Sequence, residues 1–260
     1  MVFGALDADL SWNREASEQE VLKAVIDGLN INTILFAPPQ EPYFTIINFL
    51  VQTNPATIFP GDCETRTFLH DIPVAAEFSA TSLIEALKKR KSVIIPGKGL
   101  VTVGTVSPEQ AFVVFSSVCF ACFVKLFLDY LLPSKTTAKD PRLGKFLCDT
   151  AKHYKTQVNA SRTPLAGGPF LSDQAVIDAM IQAGKRVVDA RLVDSFFGNI
   201  SCLYDDTLYI SQTGSSLDEL AGVIDACPMD GSSCAAVTAS SELTAHRNIY
   251  ETMDCRTILH

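Results

Sequence analysis

The sequence predicts a layered α/β fold, with helices on both faces of a mixed, largely antiparallel central sheet (α/β/α). Short apolar, β-rich segments alternate with segments of helical periodicity along the chain. Two β-rich segments in the last third are separated by only two turn residues, which predicts an antiparallel hairpin. Apolar residues make up 47% of the 260 residues and charged residues 19%, and this composition supports a sizeable core.

The N-terminal half contains two helix-start signals. Residues 82–85 read as a capping box that opens a helix to Lys89. Ser107 and Pro108 predict the start of a helix that runs to about Tyr130 and is ended by Pro133. The other predicted elements are a helix at 18–29, a strand at 31–36, a helix or buried strand at 43–51, and strands at 93–95 and 100–103 around the turn 96–99.

The C-terminal half begins after a change of character at residues 134–169, which are rich in polar and turn-forming residues. We expect this region to connect two units, with room for a helix at 143–154. The elements predicted beyond it are a helix at 173–190 capped by Ser172, a hairpin of 200–204 and 207–210 around Asp205 and Asp206, a third capping box at 216–219, and a helix at 242–252 that leads into a strand ending at His260.

Charge and composition exclude several classes of function. The formal net charge of −8 argues against a nucleic-acid surface, and the basic run 88–91 is expected to close a helix. Residues 111–124 carry no charge, but this stretch is shorter than the ~20 residues of a bilayer span, so we expect a buried helix and no membrane partner. The chain has no glycine-rich dinucleotide motif and no Walker loop, so no nucleotide cofactor is expected.

The cysteines indicate a reducing compartment. Cys119 and Cys122 form a CxxC pair inside an apolar helix with no second pair nearby, which favours buried free thiols over zinc or redox chemistry. No basic region precedes an apolar run at Met1, so we expect no secretory signal and a cytoplasmic protein.

Three polar clusters in the last quarter of the chain are attached to apolar strands or helices. They are residues 198–201, residues 213–215, and Ser240 with Ser241. Each offers short hydroxyl or amide side chains and backbone N–H groups suited to an anion. Taken singly, each cluster is better explained by an N-cap or a turn, whereas their combination in this order is far more specific.

Glu242 and His246 are four residues apart on a predicted helix, so their side chains leave the same face. A carboxylate and an imidazole in that arrangement can exchange protons with a substrate or orient a metal ion. The alternative is an ordinary i,i+4 hydrogen bond on the helix surface.

In order and spacing, residues 195–260 resemble the first half of the class II aldolase/adducin domain. The resemblance implies a class II aldolase-like fold, an acid/base role for Glu242 and a metal-ligand role for His260. His246 would have a supporting role. It also implies a divalent ion, probably zinc, that acts as a Lewis acid. Phe196 departs from the family, in which a small hydroxyl residue usually stands in that turn. The residues that would hold the phosphate or carboxylate of the substrate are Asn199, Thr213, Gly214, Ser240 and Ser241.

The first 130 residues resemble the second half of the same family, without its metal ligands. Lys98 stands where the turn carries the third metal histidine, and a protonated amine cannot bind a cation. Phe36 and Pro38 stand where a His-x-His strand would be. We therefore interpret this unit as a degenerate copy of the family's second half that has a structural role. The polar residues left there are Asp62, Glu64, His70 and Asp71, of which His70 is a candidate substitute ligand.

These resemblances predict three regions and two arrangements. The regions are a degenerate second-half-like unit at 1–133, a connection at 134–169 and a first-half-like unit at 170–260 that is incomplete at its C-terminus. In one arrangement the chain is a fragment whose continuation supplies the missing histidines, and we favour this one. In the other, the two segments fold as a permuted domain with too few ligands for tight zinc binding.

The leading functional hypothesis is a metal-dependent lyase of class II aldolase type. It would cleave or rearrange a small phosphorylated or carboxylated sugar-like substrate through an enediolate, in a homo-oligomer or with a complementary C-terminal fragment. Epimerase and decarboxylase activities of the same family are not separated from it by sequence. The alternative is a non-catalytic adducin-like interaction module that lost the metal, as Lys98, Phe36 and Phe196 suggest. A Ser-His-Asp hydrolase ranks third, because no G-x-S-x-G motif is present.

Overall fold

The structure is a computed structural model that describes residues 1–7, 9–132, 141–157, 165–190, 192–193, 196–232 and 237–260. The predicted helix end at Pro133, much of the predicted connection 134–169, Ser195 and Cys234 lie outside these residues. The chain divides into two compact units, Met1–Lys155 (the N-terminal unit) and Thr156–His260 (the C-terminal unit).

The N-terminal unit is built on an antiparallel sheet with strand order β2-β1-β3-β7-β6. An isolated bridge between Val74 and Ile94 is parallel. The elements are β1 (Val2–Asp7), β2 (Asp9–Trp12), α1 (Gln19–Gly28), β3 (Thr33–Ala37), α2 (Tyr43–Thr53), β4 (Thr57–Ile58), α3 (Cys63–Leu69), β5 (Ile72–Pro73), α4 (Ala80–Leu87), β6 (Ser92–Ile95), β7 (Gly99–Gly104), α5 (Pro108–Leu131) and α6 (Pro141–Gln157).

Both faces of this sheet are covered by helices. One face packs against α1 and α4 through a cluster that includes Leu22, Val25 and Leu83. The other face packs against α2 and α5, with α6 at the edge of the same cluster. Because every residue of β3, β6 and β7 is buried, these strands read as continuous apolar runs rather than alternating ones.

The C-terminal unit repeats the layered arrangement on a smaller scale. Its antiparallel sheet has the order β10-β9-β8-β11. Val176 and Met180 of its first helix pack on one face, and Leu243 and Tyr250 of its second helix pack on the other. The predicted α/β class with a mixed, largely antiparallel sheet is therefore confirmed. The elements are α7 (Asp173–Asp189), β8 (Ile200–Tyr204), β9 (Thr207–Ser211), β10 (Ile224–Pro228), α8 (Leu243–Thr252) and β11 (Thr257–Leu259).

Two of the three predicted capping boxes are wrong or misplaced. The N-cap of helix α4 is Ser79, three residues before the predicted cap Ser82, because the Ser79 side chain accepts the N–H of Ser82. Residues 216–219 form turns instead of a helix. There Leu217 is fully buried, and its carbonyl would lie 2.2 Å from a Cβ at Gly184 of α7, so close packing outweighs local helix propensity. Ser107 does precede α5 as predicted, and Ser172 caps α7.

Helix α5 is long and apolar enough to cross a membrane by length and composition, yet half of its most apolar window is buried in the protein. Val118, Cys122 and Leu126 are fully buried in the N-terminal unit, which is the packing of a core helix. Cys119 and Cys122 are both buried, as expected, and burial raises the pKa of the Cys122 thiol to about 12. That thiol is therefore unreactive at neutral pH.

Candidate functional site

The candidate site is formed where strands β8 and β11 of the C-terminal unit meet. Asn199 and His260 lie opposite each other at the end of this pair and exchange both backbone hydrogen bonds, each 2.9 Å long. Gly198, just before them, has φ +80°, and a Cβ at this position would lie 2.3 Å from the His260 carbonyl oxygen. The close approach of the two strands therefore requires glycine.

Glu242 lies at the N-terminus of α8 and brings its carboxylate to this pair. Its Oε2 accepts a hydrogen bond of 2.7 Å from the Asn199 amide nitrogen Nδ2 and lies 2.6 Å from Nδ1 of His260. The Glu242 side chain is 39% exposed and the His260 side chain 66% exposed. The carboxylate is thus fixed by two neighbours while remaining open to a solute.

The electrostatics of the site keep Glu242 ionised. Burial acts to raise its pKa, but hydrogen bonds from Asn199 and His260, with the charges of His260 and His246, outweigh burial and lower it. A carboxylate held in this form can accept a proton or bind a cation. The amide oxygen Oδ1 of Asn199 is buried and has no hydrogen-bond partner among the described residues, an arrangement that is rare in folded proteins.

A buried polar network supports Glu242 from within the unit. His246 is 2% exposed, and its Nδ1 lies 2.7 Å from the Ser201 hydroxyl, which lies 2.8 Å from the Tyr250 hydroxyl. The other ring nitrogen of His246 lies 4.0 Å from Oε2 of Glu242. Burial lowers the pKa of His246 although the charge of Glu242 raises it, so the imidazole is neutral at pH 7.

Sequence reasoning singled out His246 for its spacing from Glu242 and, through the family resemblance, for a supporting role. It placed Ser201 only within the polar cluster 198–201 and assigned no role to Tyr250. The i,i+4 spacing of His246 and Tyr250 was the available signal, because it places both on one face of α8. Their partner Ser201 comes from β8 and could not be chosen without the fold. The network fixes α8 on the sheet and thereby positions Glu242.

The structure brings the other predicted substrate-binding residues into two adjoining segments. Ser211, at the end of β9, links them: its hydroxyl accepts the N–H of Ile200 and its carbonyl accepts the N–H of Ser240. Thr213 donates its N–H to Thr238 and its hydroxyl to Ala239.

The remaining predicted residues are close to these two segments. Gly214 is exposed with φ +72° and has open space around it. Ser240 accepts the N–H of Glu242 through its hydroxyl, and Ser241 is exposed in the turn before α8. Phe196, the residue that departs from the family, is half-buried.

Asp225 is a buried carboxylate near the predicted substrate-binding residues that sequence reasoning missed. It lies in β10 and is 9% exposed. Its two carboxylate oxygens accept hydrogen bonds of 2.8 Å from Gln212 and 2.6 Å from Thr238. Gln212 precedes Thr213 in the chain, and Thr238 accepts the N–H of Thr213. An acidic residue inside an otherwise apolar strand was the only signal for it in the sequence.

The described residues do not complete a metal site. His260 and Glu242 supply one imidazole and one carboxylate, whereas a catalytic zinc ion takes about three protein ligands. No group of three His, Cys, Asp or Glu side chains that could hold an ion occurs in the part of the chain that the structure describes. His70, the candidate substitute ligand, instead lies 2.6 Å from Asp71 and beside Arg90, in an exposed charged cluster.

The site therefore combines an ionised, accessible carboxylate, held by an amide and an imidazole, with neighbouring turns that carry hydroxyl side chains. Residues 178–260 match the family described as the Class II Aldolase and Adducin N-terminal domain. This match confirms the resemblance predicted from sequence for residues 195–260. Residues 1–177 lie outside the match.

Solved structures of class II aldolases are similar to parts of the chain. L-fuculose-1-phosphate aldolase from Thermus thermophilus is 16% identical with a TM-score of 0.42, over 50% of this chain and 84% of that one. YgbL from Klebsiella pneumoniae is 28% identical with a TM-score of 0.33, over 35% and 45%. Another L-fuculose 1-phosphate aldolase is 24% identical with a TM-score of 0.32, over 36% and 46%.

The chain thus spans under half the length of two of these three structures. A comparison with curated protein sequences found no match.

Proposed function

We propose that the C-terminal unit carries the acid–base part of an aldolase-type lyase. The observation that supports this most directly is the carboxylate of Glu242. It is ionised, 39% exposed and held by Asn199 and His260, within a segment of the class II aldolase and adducin family. Cleavage or rearrangement of a sugar-like substrate through an enediolate requires such a group to remove and return a proton beside a carbonyl.

Each neighbouring residue has a distinct role in this proposal. Asn199 and His260 hold the Glu242 carboxylate in one orientation, and His246 supports it as a neutral, buried neighbour. Thr213, Gly214, Ser240 and Ser241 would bind the phosphate or carboxylate of a small substrate. The backbone turn at Gly214 and the start of α8 both suit an anion.

A divalent metal, zinc in particular, is part of the proposal, with His260 as one ligand. Such an ion supplies Lewis-acid stabilisation of the negative charge on the substrate oxygen. At least one ligand besides Glu242 and His260 is needed for tight binding. We further propose a cytoplasmic enzyme that functions as a homo-oligomer.

Solvent deuterium exchange tests the role of Glu242. The full chain, with and without added zinc, is incubated in D2O with phosphorylated and carboxylated ketoses, including L-fuculose 1-phosphate, and deuterium beside the carbonyl is measured by NMR. We expect incorporation by the native chain and a loss of about 100-fold or more in Glu242→Gln, because general-base catalysis contributes roughly 10²–10⁴-fold. The matched control is Glu251→Gln, an exposed glutamate on the same helix.

Equal exchange in the native chain and Glu242→Gln would remove Glu242 from the mechanism. Zinc binding that is lost in His260→Ala, measured by titration calorimetry, would support the metal ligand. Exchange that does not respond to zinc, together with zinc binding that His260→Ala leaves unchanged, would exclude the metal part of the proposal.

The second candidate function is a non-catalytic, adducin-like interaction module. It is favoured by the small number of ligand groups at the site, since the described residues contain no cluster of three. It predicts neither zinc binding nor exchange with any of the tested ketoses. The two functions are therefore separated by the same experiment.

A further inference from the structure

A pocket of about 370 Å³ lies in the N-terminal unit and is lined by residues that have no role in the function proposed above. Its volume falls in the range of small-molecule sites, roughly 300–1,000 Å³. Phe36, Pro38 and Lys98, which stand where the family resemblance places metal ligands, all line this one pocket. Val2, Arg14 and Glu18 complete the part of the lining that matters for ligand chemistry.

The fold brings these residues together from four segments. Phe36 is on β3 and pairs in register with Val2 of β1, and Pro38 follows directly after β3. Lys98 comes from the tight turn between β6 and β7. Arg14 comes from the segment between β2 and α1, so the pocket lies at one end of the sheet.

The charge of the pocket is positive. Arg14 uses its Nε to donate a 2.8 Å hydrogen bond to the Met1 carbonyl, which fixes the guanidinium and leaves its terminal amines for other acceptors. Lys98 holds its Nζ 5.8 Å from the centre of the Phe78 ring. Among the described side chains, neither cation has a carboxylate within 4.0 Å, so Glu18 offsets only part of their charge.

The wall opposite the cations is apolar and rigid. Phe36 is 8% exposed and packs against Phe78 at 4.8 Å between ring centres, and Val2 is 1% exposed. A cavity with an apolar wall and convergent cations matches a ligand that has a hydrocarbon part and a negative group. A metal cation does not suit it, because Arg14 and Lys98 would repel the ion.

We propose that this pocket binds a small organic anion, whose carboxylate or phosphate contacts Arg14 and Lys98 and whose apolar part lies against Phe36 and Pro38. The proposal concerns the N-terminal unit and does not depend on the function proposed for Glu242.

Titration calorimetry of the full chain with phenyl phosphate, inorganic phosphate and benzoate tests this site. We expect phenyl phosphate to bind more tightly than inorganic phosphate, because only the ester reaches the apolar wall. Lys98→Gln and Arg14→Gln should each weaken binding about tenfold, the usual effect of one charge-assisted hydrogen bond. Glu18→Gln should tighten it, since a repulsive carboxylate is removed. The affinity for benzoate, compared with that for phenyl phosphate, shows whether the pocket binds a carboxylate as well as a phosphate.

Two controls keep the result specific. Lys23→Gln removes an exposed cation of the same unit that is paired with Asp27, and should leave binding unchanged. Ser241→Ala alters only the proposed anion turns of the C-terminal unit, so the responses of Lys98→Gln and Arg14→Gln should persist in its presence. Absence of binding, or equal weakening by Lys23→Gln, would overturn the proposal. Circular dichroism verifies that each variant is folded.

Discussion

Gly198 shows how one residue determines whether the candidate site can form. It allows the backbone of β8 to approach His260, and its φ of +80° is unfavourable for other residues. Without this approach, His260 would not reach Glu242. Any side chain at this position would collide with the backbone. Gly198 is thus as important to the site as the residues whose side chains form it.

We predict that Gly198→Ala destabilises the C-terminal unit more than Gly222→Ala. Gly222 has nearly the same φ, +79°, but a Cβ there meets nothing within 4 Å. Gly222→Ala should cost about 1 kcal/mol from backbone strain. Gly198→Ala should cost about 2 kcal/mol more, because its Cβ collides with the His260 carbonyl. Urea denaturation measures both free energies of unfolding, and equal losses would show that the collision is relieved without cost.

At the scale of elements, a helix begins after the residue whose side chain accepts a hydrogen bond from a free backbone N–H group of the first turn. Ser82 fits the capping pattern with Glu85, but its own backbone N–H donates a hydrogen bond to the Ser79 hydroxyl. The sequence offers Ser79 and Ser82 as alternative caps three residues apart. The packing of Leu83 and Leu87 selects the earlier one, since both leucines must face the sheet from the same helix.

We therefore expect Ser79→Ala to lower the free energy of unfolding of the N-terminal unit by about 1 kcal/mol, the usual cost of losing an N-cap. Ser82→Ala is the matched control and should change it by less than about half that amount, since alanine favours a helix interior. Urea denaturation followed by fluorescence of Trp12, the single tryptophan, measures both. A larger effect of Ser82→Ala would restore the predicted capping box.

At the scale of the whole molecule, each of the two units has its own layered core, and the C-terminal unit also encloses a titratable network. The pKa of buried His246 is lower than in the unfolded chain. Below an unfolded pKa of about 6.5 the unfolded state binds the proton more readily, so stability falls as pH decreases. The pKa of Glu242 is also lowered, so its contribution is present above the unfolded value and is lost only in more acidic solution.

We predict that the C-terminal unit loses stability between pH 7 and pH 5, with a slope of at most about 1.4 kcal/mol per pH unit for one proton. In His246→Asn this dependence should be smaller, because the titrating group is gone. Urea denaturation by circular dichroism at both pH values measures the difference, and Trp12 fluorescence serves as the reference for the N-terminal unit. An unchanged pH dependence in the variant would show that other groups control it.

The sequence predicted the amphipathic helices, the hairpin around Asp205 and Asp206, and the order of the polar clusters. These are local features: periodicity, turn residues and caps depend on neighbours within a few positions. Strands β1, β2 and β10 were missed because their apolar runs are short and contain Gly4, Asp225 or other residues that are uncommon in strands. The turns at 216–219 were missed because the contact with Gly184 comes from a distant helix.

The sequence by itself determined that Glu242 and His246 share one face of a helix. Only the tertiary structure decided that Asn199, 43 residues away, and His260 hold the same carboxylate oxygen, and that Ser201 holds His246. It also brought Phe36, Pro38 and Lys98 together with Arg14 in one pocket. The physical reason is the same in each case: strand pairing and core packing determine which distant side chains meet, and no local pattern encodes those distances.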